Sequence, residues 1–425
     1  MRLPGADRHR TASEAEVIDL LVVYGWMPEV RGGAGETAVR EAAAALERFV
    51  GQGLAFAPGE DGARRFDPAE VVDFMKWTGQ AGREPIWNAR NVRSARADVW
   101  EAFGGGEGTP PPPETLGPRR YAVSLRRTFN LTGKTAGERV RLRLPLPIAD
   151  AQVSDVEVAF GGITGAVGQP VIAPARLDVV VAAPAGGEVA VAIRSTFVTR
   201  PQVPAPTEAR LGPAEAELFT RPKEGLIRIS PAVRALSERL AGALTDPWDI
   251  LRRFWRFLIE EFCVGMIRHG DLDHASPLDW ALAHGWYDCQ LGSALMAALC
   301  RARGMPARLV GGYLLYEHTP SVHTWLEVWI DGWGWVPFDL LAWELSAAGR
   351  DEAWRDYFFG QLDHRVAVER PPRLFNGPGG VRLPRHWQLL QAPREPGVTV
   401  IIRSEADGAL LWRDEIAVER LGVPA

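Results

Sequence analysis

Residues 104–113 read Gly-Gly-Gly-Glu-Gly-Thr-Pro-Pro-Pro-Pro, and no packed core can absorb such a run. Glycines add flexible chain, and consecutive prolines add a stiff, extended segment without backbone donors. The hydrophobic period changes across this break. Before it, apolar residues recur at helical spacing. From Tyr121 to Val198 they alternate with a period of two, and after Thr199 the helical spacing returns. At about 150 residues per domain, 425 residues argue for two or three domains.

The predicted organisation follows from these changes. Residues 1–103 read as a mainly helical accessory domain. Ser13-Glu14-Ala15-Glu16 has the capping-box pattern ahead of an apolar run, a second helix covers roughly 38–50, and a third opens at Asp67-Pro68. Residues 54–57 and 64–66 flank a turn-rich segment and predict a hairpin, so a winged-helix-like arrangement is one reading. No helix there carries a basic face, which makes docking the expected role. A linker over 104–118 precedes a β-sandwich over 119–205, where Tyr121, Val123 and Leu125 alternate with Ser124 and Arg126. Ser230-Pro231 and Asp246-Pro247 pair an N-cap with a proline at the first helical position and open helices of a core spanning 206–362. Residues 363–425 revert to β character. The predicted fold class is α+β.

Composition narrows the function. With 48 basic and 53 acidic residues the formal charge is −5, so no nucleic-acid partner is expected. No apolar run reaches the roughly 18 residues of a membrane span, and the first residues lack the apolar core of a signal peptide. Three cysteines cannot form a disulfide framework. Together these predict no membrane association and a cytoplasmic location.

The chemistry concentrates between Trp280 and Trp343. Cys289 opens an apolar run in which Leu291, Leu295, Ala298 and Leu299 share one helical face, and Gly304 with Pro306 ends it. A thiol at a helix N-terminus meets unpaired N–H groups and the positive end of the dipole, which predicts a depressed pKa. Cys300 lies three turns on, in the apolar body, and Cys263 falls in a stretch read as helical. Next comes a strand through Arg308 to Tyr316, with Gly311-Gly312 as a kink. In His323-Thr324-Trp325-Leu326-Glu327-Val328 the imidazole falls on one face, and Asp331-Gly332 then turns the chain back towards Asp339. Thiol, imidazole and carboxylate are the three groups that covalent acyl transfer needs: a nucleophile, a base that becomes an acid, and an anchor for the ring. Asp288 would oppose thiolate formation if it faced the sulfur, so its carboxylate is expected to point away.

Three motifs in order, Asp-Cys-x7-Ala-Leu-Cys-Arg-Ala-Arg-Gly-Met-Pro-Ala-Arg-Leu-Val-Gly-Gly-Tyr, His-Thr-Trp-Leu-Glu-Val-Trp and Gly-Trp-Val-Pro-Phe-Asp, resemble the transglutaminase-like superfamily over roughly residues 230–345. The resemblance implies a papain-like core with Cys289 as nucleophile, His323 as base and acid, and Asp339 as orienting carboxylate. It also implies a peptide, protein or acyl-thioester substrate, and neither a metal nor an organic cofactor. The β domain before the core is similar to the sandwich found there in many bacterial members. The substrate cleft is expected to include Trp286, Tyr287, Gln290 and Trp325.

Other polar clusters read more simply. His269, Asp271, Asp273 and His274 lack zinc-site spacing and suggest a polar loop; His318 suggests a rim position, and Asp363-His364-Arg365 a solvated turn. The stripe Trp325, Trp329, Trp333 and Trp335 is either core or the wall of an acyl-binding cleft. The expected activity is cysteine-dependent acyl transfer through a thioester, ending in hydrolysis or amide formation. The alternative is a non-catalytic scaffold that binds a peptide or protein.

Overall fold

The computed structural model describes residues 11–25, 36–68, 70–71, 74, 115–163, 165–173, 175–264, 267, 272–273, 275–318, 320–341, 352–370, 388–390, 400–403 and 410–422. The Gly/Pro run at 104–113, most of the third N-terminal helix, and His269, Asp271 and His274 lie outside the described residues.

At the N-terminus the capping box forms. Ser13 N donates to Glu16 Oε2 at 2.7 Å and Glu16 N donates back to Ser13 Oγ at 3.3 Å, which starts the helix Glu14–Gly25. The helix Glu36–Gly51 follows. The short strands Ala12–Ser13, Arg64–Phe66 and Ala57–Pro58 form a three-stranded sheet in that order. Val17, Leu21, Leu46 and Phe49 belong to the same continuous buried cluster as the helices near Cys289.

The β-sandwich is antiparallel throughout. One sheet has the order Gln388–Leu390, Val400–Arg403, Leu410–Leu421, Arg119–Asn130, Glu188–Thr199, Val153–Ile163; the other has Arg139–Pro145, Arg176–Ala182, Val171–Ala173. The alternation read from sequence becomes the buried layer: Tyr121, Val123, Leu125, Leu142, Leu144, Val189 and Val191 are all buried. Residues 363–425 divide between two sheets. Arg365–Glu369 joins the sheet beside the cysteine-bearing helix, while the strands from 388 onward return to the sandwich. Sequence alone could not separate them, because a strand reads alike whichever sheet receives it. The last strand is bolted in by Asp414, which accepts from Arg127 Nε and Nη2 at 2.6 Å each with both side chains buried. The Arg127 guanidinium also lies 5.1 Å from the Trp412 ring centroid.

The remaining elements form a three-layer α+β unit. Its sheet has the order Gly334–Phe338, Ser321–Ile330, Ala307–Leu314, Arg365–Glu369, all antiparallel. Against it pack the helices Pro231–Ala241, Pro247–Glu261, Pro277–His284 and Cys289–Ala302. Ser230 and Asp246 cap the first two as the sequence implies, accepting from Val233 N and Asp249 N. Cys263 falls in the short strand Cys263–Val264, paired parallel with Trp286–Tyr287, rather than in a helix. The helix Pro247–Glu261 stops before it. Tyr313, Leu315, Val366 and Val368 share a buried cluster with the sandwich, so the sheet lies between helices and sandwich. Among the described residues no helix is long and apolar enough to cross a membrane.

Replacing Asp414 by alanine strands a buried guanidinium and is expected to lower the unfolding free energy by about 3–5 kcal/mol. Arg194→Ala, which breaks the exposed pair with Glu419, should cost less than about 1 kcal/mol. Urea unfolding of the two variants beside the parent checks both.

Candidate active site

The helix Cys289–Ala302 begins with the cysteine. Asp288 is its N-cap, in extended backbone geometry, and its Oδ1 accepts from Leu291 N at 2.8 Å. The carboxylate is thus turned to the helix terminus, yet its charge still acts against a thiolate at Cys289. Residues 290–301 are all buried, so this is a central helix rather than an amphipathic one. Gly292 is needed for close packing: a Cβ there would lie 2.4 Å from the Tyr287 ring.

Cys289 enters the sheet through a gap in strand pairing. The pairing between Gly334–Phe338 and Ser321–Ile330 stops at Leu326↔Phe338. Trp329 N donates to Pro306 O on the opposite side. Alternation therefore turns the N–H and C=O of Thr324 towards the side that the short strand has already left. The first turn of the helix fills the gap. Ser293 Oγ donates to Thr324 O at 3.3 Å, and the backbone N–H groups of Thr324 and Gln290 face the Cys289 sulfur.

His323 precedes Thr324 on the same strand. Its Nε2 lies 2.9 and 3.0 Å from the two oxygens of Asp339, which follows the strand Gly334–Phe338. An ionised carboxylate can only accept, so Nε2 carries the hydrogen and Nδ1 keeps its lone pair. Asp339 also accepts from Leu341 N at 2.9 Å and from Arg365 Nε at 2.8 Å. Burial alone would push this carboxyl up, but His323 and Arg365 hold it well below the usual carboxylate range. Opposite His323 in the ladder stands Gly312, where a Cβ would lie 2.2 Å from Val366 O and 2.5 Å from the Trp325 ring. The supposed kink is a packing requirement.

The thiol does not have the depressed pKa expected from its helix position. Burial pushes the Cys289 thiol up, and the charges of Asp288 and Asp339 push the same way; the N–H groups of Thr324 and Gln290 oppose them and lose. A helix terminus offers about half a unit charge, which desolvation and two carboxylates outweigh. Cys300, fully buried, is also pushed up, chiefly by burial.

The four residues expected to line the cleft are at most 6% exposed: Trp286, Tyr287, Gln290 and Trp325. Trp286 meets Trp280 edge-on, Tyr287 donates to Leu258 O at 3.1 Å, and Trp325 packs with Val310, Leu362 and Ala367. These three rings serve the core. Of the remaining indoles in the stripe, Trp329 and Trp335 pack edge to face, and Trp333 is exposed but leans on Trp248. His318 is exposed.

Sequence reasoning misjudged Asp363-His364-Arg365. All three are buried, and Arg365 touches Asp339. The signal lay in the short apolar run Val366-Ala367-Val368 that follows, which marks a strand entering the core. Glu369 was also missed. It lies beside Gly311, which pairs with Thr324 on its other side; its carboxyl has no hydrogen-bond partner among the described residues, and burial pushes it up to about 8. Among the described residues no three metal-ligating side chains cluster.

A helix-borne cysteine beside a histidine–aspartate pair on neighbouring strands is the arrangement of the cysteine-type enzymes. Residues 234–340 match the family model of the transglutaminase-like superfamily. No curated protein matches the chain. Among solved structures, it is similar to a candidate cysteine protease from Cytophaga hutchinsonii at 11% identity, covering 73% of this chain and 93% of that one, with a TM-score of 0.45. The periplasmic domain of TgpA from Pseudomonas aeruginosa is similar at 18% identity, 59% and 90% coverage and a TM-score of 0.32. A candidate protease from Parabacteroides distasonis gives 10%, 51%, 46% and 0.23. Scores of this size leave the functional argument to the site itself.

Two outcomes follow from the geometry. Gly312→Ala should destabilise the fold by about 1–3 kcal/mol, because Trp325 and Val366 must move to admit the methyl group; thermal unfolding reads this. Glu369 keeps its proton when folded up to about 8 but releases it near 4.5 when unfolded, so its contribution to stability is full below 4.5 and falls as pH rises to about 8. Glu369→Gln should flatten that fall, measured as the urea midpoint against pH.

Proposed function

We propose that the protein is a cysteine-dependent acyl-transfer enzyme acting on an amide or thioester donor. The observation that carries this reading is the His323–Asp339 contact. It spends Nε2–H on the carboxylate and leaves the Nδ1 lone pair to take the proton of the Cys289 thiol. The sulfur then attacks the donor carbonyl, forming a C–S bond while the carbonyl electrons move onto oxygen. Collapse of that adduct expels an amine, protonated by the imidazolium, or a thiolate. The thioester is cleared when His323 removes a proton from water or from an acceptor amine, giving an acid or an amide.

The remaining chain supports these steps. The Cys289 backbone N–H at the first helical position is the natural donor to the developing oxyanion. Thr324 N–H supports the sulfur while it is negative. Because the thiol is raised by burial, proton transfer and charge-pair formation must happen together. That favours a neutral resting pair that ionises on demand.

The test uses p-nitrophenyl acetate as a minimal donor and intact mass as the readout. An acetyl group should appear on Cys289 and be absent in Cys289→Ala. His323→Ala should slow its formation by about 10²–10⁴-fold, the range of general acid–base contributions, and Asp339→Asn should slow it as well, with a lowered thermal midpoint because the buried Arg365 loses its counter-ion. A chain that acquires no adduct, or one that His323→Ala leaves unaffected, is a binding scaffold and not an enzyme of this type.

A further inference from the structure

The contact that most exceeds what a triad requires is Arg365 on Asp339. Arg365 is buried, and its Nε donates to Asp339 Oδ2 at 2.8 Å, on the oxygen that Leu341 N does not use. Its Nη1 donates to Tyr316 OH at 2.8 Å and to the carbonyls of Asp363 and His364, both at 3.2 Å. Its plane stacks 4.5 Å from the Phe358 ring centroid and 5.2 Å from that of Tyr316. Nη2 is buried without a partner among the described residues. A guanidinium held by four hydrogen bonds and flanked by two aromatic rings cannot swing away, so its charge is fixed beside Asp339.

The grip on Arg365 comes from the sandwich. Arg119, at the start of the strand Arg119–Asn130, makes a buried ion pair with Asp363, and its Nη1 lies 3.0 Å from His364 Nε2. Arginine can only donate, so that nitrogen accepts and Nδ1 carries the hydrogen, 3.4 Å from Tyr121 OH. His364 itself sits at φ 53°, a left-handed conformation that a side chain tolerates only when its surroundings impose it. Two sandwich side chains thereby fix the three residues that end in Arg365.

Charge counting gives this arrangement a purpose. Asp339 alone would place an uncompensated negative charge near a sulfur that must itself become negative. With Arg365 present, the carboxylate still anchors the ring, but its field at the sulfur is opposed. Resting on the acyl-transfer reading, we propose that Arg365 is a positioning residue that fixes Asp339 and supplies the cation allowing Cys289 and His323 to ionise as a pair, and that the sandwich holds it there through Arg119.

The groups facing this site are Asp288 from the helix cap, His323 and Asp339 from the sheet, Tyr316 and Tyr357 around the guanidinium, and Asp363, His364, Arg119 and Tyr121 behind it. Burial pushes Tyr316 and Tyr121 up to about 12 and His364 down to about 4, so each keeps one charge state at intermediate pH.

The experiment is iodoacetamide alkylation of the full chain against pH, read by mass spectrometry at Cys289 with Cys300 as internal reference. Arg365→Gln should move the Cys289 profile to higher pH by about one to two units, as expected for losing a nearby buried cation, and Arg365→Lys should restore most of the shift. Should Arg365→Gln fail to fold, Asp339→Asn and Asp339→Asn/Arg365→Gln carry the test, the double variant leaving no unpaired buried ion. Asp339→Asn sets the reference profile, and adding Arg365→Gln should move it up from there. An unchanged profile on removing Arg365 in either background overturns the proposal while leaving the triad intact. A Cys289 profile indifferent to His323→Ala overturns the triad reading, and the proposal with it.

Discussion

One buried carboxylate organises the site. Removing an ionised Asp339 from water is costly unless donors replace the lost solvent, and it has three: His323 Nε2, Leu341 N and Arg365 Nε. Each has a separate consequence. The histidine contact decides which ring nitrogen bears hydrogen. The backbone contact fixes the chain where the strand Gly334–Phe338 ends. The arginine contact keeps the carboxyl ionised and connects it to the sandwich. Without the carboxylate, neither the orientation of the imidazole nor the burial of Arg365 has a physical reason.

The cysteine is placed by a different constraint, the demand that main-chain polar groups be paired. A helix leaves its first N–H groups without partners, and a strand whose neighbour stops early leaves its own groups exposed on that side. Here the two deficits meet. Thr324 presents an N–H and a carbonyl beyond the end of the short strand, and Cys289 and Ser293 answer them. That junction sets the sulfur one residue from His323 along the strand. It also leaves the thiol only partly exposed, and that loss of water raises its pKa.

The sandwich follows the same logic at larger scale. It covers one side of the central sheet through Tyr313, Leu315, Val366 and Val368, and Arg119 reaches past that apolar contact to Asp363 and His364. Its sheet is completed by strands from the far end of the chain, held by Arg127 and Asp414. The site therefore draws on segments separated by more than two hundred positions. Charged side chains mark the junctions because paired ions tolerate only a narrow range of geometries.

The sequence by itself determined the local elements and pointed to the candidate reactive groups. Capping at Ser13, Ser230 and Asp246, the alternation from Tyr121 onward and the apolar run after Cys289 are short-range signals, and short-range physics suffices to read them. The order of cysteine, histidine and aspartate suggested a chemistry through a family resemblance. Tertiary structure decided everything that depends on long-range neighbours. It turned Trp286, Tyr287 and Trp325 into core, divided the C-terminal strands between two sheets, drew Asp363, His364 and Arg365 inward, and raised a thiol that its helix position alone would have lowered. Burial and charge pairing belong to positions in space, and a linear pattern holds no record of which distant side chain will remove water from a group or supply its counter-ion.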